Sequence, residues 1–176
     1  MSLLKYYKHN PKDKLTEGIM INALRYFIMG ERNYMAFCPR IHNFFGMKSE
    51  SDVIAINPNG YLVEFEVKLT KADFIKDKDK IIYIKRKQIN KHKLYEQGGG
   101  SAMFYFVAPK GILTIDDIPE WAGLIEVVSR EYIKEYIKYG TVLVCNNVKN
   151  AKKLNKRKAT QKEIEKLLRL LSFKTT

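Results

Sequence analysis

The segment Glu50–Lys68, ESDVIAINPNGYLVEFEVK, limits what this chain can fold into more than any other stretch. From Tyr61 to Leu69 the residues alternate: Tyr61, Val63, Phe65, Val67 and Leu69 on one side, Leu62, Glu64, Glu66 and Lys68 on the other. Successive side chains of a strand point to opposite faces. The pattern therefore predicts a strand with two carboxylates and an ammonium on one face and an apolar row behind them. Just upstream, Asn57-Pro58-Asn59-Gly60 has the chemistry of a three-residue hairpin loop. Pro58 presets φ at the first turn position, Asn59 suits the second, and Gly60 supplies the left-handed residue of a G1 bulge. Such a loop pairs Asn57 with Tyr61, so paired residue numbers sum to 118. Asp52 then lies opposite Glu66, and Ile54 opposite Glu64. A two-residue loop would shift the register by one and turn Asp52 to the other face.

Two facing carboxylates repel unless positive charge sits between them. Lys68 supplies one such charge, and a divalent cation would supply more. Oxygen-only ligands suit Mg²⁺ or Mn²⁺ rather than zinc.

An Asp, here Asp52, followed by Glu66-x-Lys68 at the end of the next strand resembles the PD-(D/E)XK nuclease superfamily. The continuation Lys68-Leu69-Thr70-Lys71-Ala72-Asp73-Phe74 is similar to its small MmcB-like branch of DNA-repair and phage nucleases. That branch usually reads E-x-K-x-S-x-A-D-F, and Thr70 here takes the place of Ser. The runs from Phe106 to Leu113 and from Pro119 to Val127 are similar to the same branch. The resemblance implies an α/β restriction-endonuclease-like core, with a central mixed β-sheet of four to five strands flanked by helices. It implies metal-dependent hydrolysis of DNA phosphodiester bonds in repair, recombination or phage DNA metabolism. Asp52 and Glu66, with the backbone carbonyl of Val67, would hold Mg²⁺ (or Mn²⁺), and Lys68 would stabilise the reacting phosphate or orient the attacking water. Glu64 shares their face and is either a further ligand or a solvent-facing strand residue. Glu17 and Gln88 are further candidates, and the resemblance makes Lys91 and His92, from the same stretch as Gln88, candidates to stand beside the site. For Glu17 the competing role is a first-turn acid favoured by the helix dipole, and for Gln88 a partly exposed helix face. DNA is the expected partner, branched and single-stranded forms included, and a homodimer would allow paired cuts. The alternative function is a non-catalytic nucleic-acid-binding module.

The chain has 176 residues, 45% of them hydrophobic, which fits a single folded domain over residues 15–176 behind a basic N-terminal arm at 1–14. No apolar run approaches the roughly 20 residues of a membrane span, and the N-terminus lacks the apolar centre of a signal peptide. No membrane partner and a cytoplasmic location are expected. Cys38 and Cys145 suit core thiols, with one disulfide open to them and no zinc spacing.

Lys and Arg number 32 against 19 Asp and Glu, a net charge of +13, which favours a polyanionic partner. The surplus is concentrated. Residues 71–93 carry nine basic and three acidic side chains, and residues 149–166 carry eight and two. Lys71, Lys85, Arg86, Lys87, Lys91, His92, Lys93, Lys152, Lys153, Lys156 and Arg157 are the candidate nucleic-acid contacts.

The remaining elements follow from periodicity. Thr16 caps a helix that runs to Gly30. A strand covers Tyr34–Phe37, and a short helix covers Lys71–Asp77, with Asp73 capping it or bracing Lys68. A longer helix covers Asp79–Gln97, because Ile81, Ile84, Gln88, His92 and Tyr95 recur at steps of three or four. Met103–Ala108, Ala122–Val128 and Thr141–Cys145 read as strands, with Arg130–Lys138 as a small insertion. Thr160-x-x-Glu163 opens a final helix with a capping box.

Overall fold

A computed structural model describes residues 7–134 and 137–174. The chain runs through β1 (Tyr7–Lys8), α1 (Glu17–Arg25, continuing as a π-helical turn over Tyr26–Glu31), β2 (Ala36–His42), β3 (Met47–Lys48), β4 (Glu50–Ile56) and β5 (Leu62–Val67). It continues through α2 (Lys71–Lys78), β6 (Ile81–Ile84), β7 (Lys87–Asn90), α3 (Lys91–Glu96), β8 (Met103–Pro109), β9 (Gly123–Lys134), β10 (Ile137–Lys149) and α4 (Gln161–Lys174).

Turn chemistry decides the hairpin. Gly60 takes φ +81°. Its N–H donates to the Asn57 carbonyl at 2.9 Å, and the Asn57 N–H donates to the Tyr61 carbonyl at 3.0 Å. The Asn57 side-chain oxygen also accepts from the Asn59 and Tyr61 amides, both at 3.0 Å. Pairing of β4 with β5 matches Val53 with Phe65, Ile54 with Glu64, Ala55 with Val63 and Ile56 with Leu62. This is the register that the bulged loop predicts.

The sheet overturns the expected architecture. In place of four to five strands flanked by helices, a curled, half-barrel-like mixed sheet of seven strands runs β1-β10-β9-β8-β5-β4-β2, and a second sheet of three runs β3-β6-β7. The strands account for the difference. The region expected to be an insertion at Arg130–Lys138 lies within β9 and β10, whose antiparallel pairing reaches from Leu124–Lys149 to Lys134–Ile137. Residues 135 and 136 lie outside the described residues. Tyr7–Lys8, expected in a free arm, pairs with Leu143 and Val142 as an edge strand, while residues 1–6 also lie outside the description. The helix expected over Asp79–Gln97 is instead the hairpin β6–β7 followed by the short α3. No helix among the described residues is long and apolar enough to cross a membrane.

β5 lies inside the large sheet, antiparallel to β4 and parallel to β8, and every one of its residues is buried. One face of the sheet packs on α1: Met20, Ile21, Leu24 and Phe27 meet Val53, Val63, Phe65, Tyr105 and Ile125. Thr16 caps α1 by accepting from the Ile19 amide. On the opposite face Phe74, Tyr95, Phe104, Phe106 and Trp121 form an aromatic cluster. α4 docks through Ile164 and Leu167 on the β2 side. Cys38 and Cys145 are buried free thiols.

One close approach gives a direct test of the packing. At Gly123 a β-carbon would collide with the Tyr105 ring and lie 2.8 Å from the Ala151 backbone nitrogen. The ring cannot easily withdraw, because it stacks on Phe65 at 5.4 Å. Gly123→Ala should cost about 1–3 kcal/mol. An unchanged melting temperature would contradict this packing.

Candidate functional site

Strand alternation puts Glu64 and Glu66 on one face of β5, where both are almost fully buried at 1% and 2% exposure. A carboxylate in such a position must be paired or protonated. Glu66 is paired three times. Its Oε1 accepts from Lys68 Nζ and Lys80 Nζ, both at 3.1 Å, and its Oε2 from Lys91 Nζ at 2.8 Å. Burial pushes its pKa up, but the charges of Lys91, Lys68 and Lys80 outweigh this and hold it below the ordinary value. Glu64 accepts from Ser51 Oγ at 3.0 Å and from the Tyr95 hydroxyl, and lies 3.0 Å from Lys91 Nζ. Lys91 itself is 1% exposed. Burial alone would discharge it, but Glu64 and Glu66 raise its pKa well above the usual lysine value.

A third acid completes this network. Asp77, on α2, is buried, and its Oδ1 accepts from Lys68 Nζ at 2.9 Å. Its Oδ2 lies 3.0 Å from His92 Nε2. The His92 ring rests against Phe106 and Trp121. Burial raises the Asp77 pKa, but the His92 hydrogen bond and the Lys68 and Lys91 charges overcome this and hold it well below the normal range. For Lys68, burial lowers the pKa while Glu66 and Asp77 raise it, and the net shift is upward. Lys68 is therefore an ammonium at neutral pH, a cationic donor rather than a base.

Asp52 is the outlier. Its Oδ2 accepts from the Val67 N–H at 2.6 Å, so the side chain takes a backbone donor at the end of the β4–β5 ladder. Among the described residues no ion pair to a lysine or arginine accompanies it. Burial, and then the charge of Glu66, push its pKa up to about 7 against the opposing pull of the Val67 amide. The cluster holds four carboxylates (Asp52, Glu64, Glu66, Asp77) and three lysines (Lys68, Lys80, Lys91). Four acids against three lysines leave one acid without a lysine partner among the described residues, and that acid is Asp52.

Among the described residues no group of three or more His, Cys, Asp or Glu side chains is arranged to hold a metal. The donors at hand are Asp52, whose Oδ1 takes no donor among the described residues, and the remaining lone pair of Glu66 Oε2. Two carboxylates fit Mg²⁺ or Mn²⁺, which keep most of their waters and take few protein ligands. The uncompensated charge on Asp52 is of the sign and size that such an ion would reverse.

Of the other predicted residues, Lys91 and His92 join the cluster and the rest disperse. Lys91 is not at the surface as a phosphate contact but buried between Glu64 and Glu66. His92 is likewise turned inward to Asp77. Gln88 is on the exposed hairpin, where its Nε2 donates to the Tyr83 hydroxyl at 2.9 Å. Glu17 pairs with Arg40 at 3.5 Å, near enough to Asp52 to add to the upward pressure on its pKa. Asp73 is exposed and bonds back to Thr70, so Asp77, one helical turn later, is the acid that braces Lys68. Three expected phosphate contacts already hold acids: Lys71 with Asp117, Lys152 with Glu120, and Arg157 with Glu163. Lys153 Nζ sits 3.6 Å above the Tyr61 ring. Lys85, Arg86, Lys87, Lys93 and Lys156 are exposed. The residues that sequence reasoning missed are Ser51, Asp77, Lys80 and Tyr95. Asp77 and Lys80 are hidden in the run Lys76-Asp77-Lys78-Asp79-Lys80, which looks like a solvated charge mixture.

No protein-family model matches the chain, and no curated protein matches it. Its fold is similar to that of one solved structure, the SPO1766 protein of unknown function from Silicibacter pomeroyi. The TM-score is 0.54 at 14% identity, over 93% of this chain and 88% of that one. Likeness at this identity concerns the fold alone.

Proposed function

We propose that the chain is a metal-dependent nuclease that hydrolyses DNA phosphodiester bonds at the Asp52–Glu66–Lys68 end of β5, acting in the cytoplasm in DNA repair, recombination or phage DNA metabolism. The observation that carries this is the half-buried Asp52 carboxylate beside Glu66, which takes the Val67 amide but, among the described residues, no lysine or arginine. Asp52 and Glu66, with the Val67 carbonyl, would hold Mg²⁺ or Mn²⁺. Such an ion, when bound, polarises a phosphoryl oxygen and acidifies a water. Lys68 is kept protonated by Glu66 and Asp77 and points a fixed ammonium at charge that develops on the phosphate. Asp77 and His92 are positioning residues, since Asp77 reaches the site through Lys68 and Lys80, and His92 through Asp77.

A second reading has its own observation. Glu66 is already neutralised by three lysines, as in a network that only supports structure. On that reading the chain is a non-catalytic nucleic-acid-binding module. One panel separates the two: wild-type protein and Lys68→Ala, with Mg²⁺ or Mn²⁺, on linear duplex, single-stranded, flapped and four-way-junction DNA. Cutting by the wild type, reduced roughly 100-fold or more in the variant, is the expected result. Binding without cutting on every substrate would favour the module.

A further inference from the structure

β6 and β7 form a hairpin whose turn is Lys85-Arg86, and both turn residues have positive φ, +47° and +67°. Two consecutive left-handed residues define a type I′ turn, a geometry that favours Asn-Gly or Asp-Gly. Side chains with a β-carbon are strained there, so Lys and Arg are poor choices for stability. They are good choices for presenting two cations at the tip of a ribbon. Lys87 follows directly and is also exposed. None of the three has an ion pair among the described residues, unlike Lys71, Lys152 and Arg157. Paired residues share a sheet face, so Lys48 on β3, Tyr83 on β6 and Gln88 on β7 form one row across the small sheet. Tyr83 is 42% and Ile81 50% exposed on that face. The three strands and the turn contain no acidic residue.

The root of this hairpin lies in the acid cluster. Lys80, just before β6, and Lys91, just after β7, both bind Glu66, and the Lys91 N–H donates to the Lys80 carbonyl at 2.9 Å. Four residues per strand at roughly 3.3 Å each carry the tip about 13 Å from that root. A two-stranded ribbon fits the major groove of a duplex, and cations at its tip meet phosphates on the groove walls.

We infer that the β6–β7 hairpin is a duplex-DNA-reading wing. Lys85, Arg86 and Lys87 engage the groove and its phosphates, and the Lys48–Tyr83–Gln88 row lies along the adjoining backbone. The wing would thus hold a phosphodiester beside the Glu66 cluster. This inference rests on the nucleic-acid reading above but not on catalysis.

The test is the double variant Lys85→Asn/Arg86→Gly, which gives the turn its favoured sequence and should melt no lower than wild type. Binding to a 20-base-pair duplex is measured in EDTA across a salt series. The variant should bind at least tenfold more weakly, and its slope of log K against log [salt] should be shallower by roughly 2. Equal affinity and slope for the two proteins would overturn the wing, as would an equal fractional loss on single-stranded DNA of the same length. A wild type that binds no duplex at all would overturn the nucleic-acid reading itself. An Asp52→Asn protein that binds duplex like wild type but does not cut would show that the wing stands apart from the catalytic reading.

Discussion

Lys91→Met should be among the most destabilising single substitutions in this protein, lowering stability by about 3–5 kcal/mol. Lys91 is 1% exposed and holds Glu66 at 2.8 Å and Glu64 at 3.0 Å. Met matches its length and keeps the packing against Phe104, over whose ring Nζ sits at 5.2 Å. What the substitution removes is charge, and it leaves two buried carboxylates that share less compensation. Each must then take up a proton or remain ionised in a poor solvent. For a chain of this size the loss corresponds to a drop on the order of 10 °C in melting temperature. A double-mutant cycle with Glu64→Gln isolates the interaction. The second substitution should cost much less in the Lys91→Met background than in wild type, because its partner is already gone. A melting temperature within 2 °C of wild type for Lys91→Met would mean that the cluster is not the buried network described, the approximate scale being that of an ordinary surface change. Divalent metal adds a discriminating arm. If the acids can take an ion, millimolar Mg²⁺ should restore part of the loss, since an ion that binds only the native state stabilises it by mass action. A purely structural network would show no such rescue.

This cluster also shows how much of the site could be read from sequence. Alternation in β5 and the chemistry of Asn57-Pro58-Asn59-Gly60 were sufficient for the β4–β5 register, because a turn and a two-residue period are both local. They place Asp52, Glu66 and Lys68 in one patch. Lys80 and Lys91 are different. In the sequence they are two of many lysines in a basic stretch, and only the closing of the β6–β7 hairpin brings both to Glu66. That hairpin was hidden for a physical reason. Ile81, Ile84, Gln88, His92 and Tyr95 satisfy a helical period, and Lys85-Arg86 lacks the Gly or Asn that marks a tight turn. The β-branched Ile81, Ile82, Ile84 and Ile89 were the available counter-signal. The width of the sheet was illegible for a similar reason. β9 and β10 continue far past their apolar centres, into residues such as Ser129, Arg130, Glu131 and Asn146, whose pairing is fixed by the partner strand and not by their own hydrophobicity. Helix caps, by contrast, were fully local. Thr16 and Thr160 each accept the amide three residues on.

Asp52→Asn should make the protein more stable at pH 8 and, on the proposed nuclease reading, abolish DNA cutting. The direction follows from linkage. The folded-state pKa of Asp52 is raised from 3.8 to about 7, so between these values the native state holds a proton that the unfolded chain has released. The contribution is fully present below about pH 4 and is lost as pH rises through 7. Three pH units correspond to about 4 kcal/mol as an upper bound, and residual solvent access reduces it. Asn keeps the acceptor for the Val67 amide, carries no charge beside Glu66, and does not titrate. Urea unfolding from pH 4 to pH 8 should therefore show wild type losing ground to Asp52→Asn by a few kcal/mol, with the gap growing steadily from about pH 4 to about pH 7 and level above that. Parallel curves across the whole range would show that Asp52 does not have the unpaired, buried character assigned to it. The metal reading adds an opposite sign. If Asp52 and Glu66 hold Mg²⁺, the ion competes with the Asp52 proton, so at pH 8 it should raise the wild-type melting temperature, do so less at pH 5, and leave Asp52→Asn unmoved. The same substitution would then remove both the penalty of the empty pair and the benefit of the filled one. That is the behaviour of a site built to be completed by a cation. A structural salt-bridge network would instead be weakened by loss of an acid at every pH.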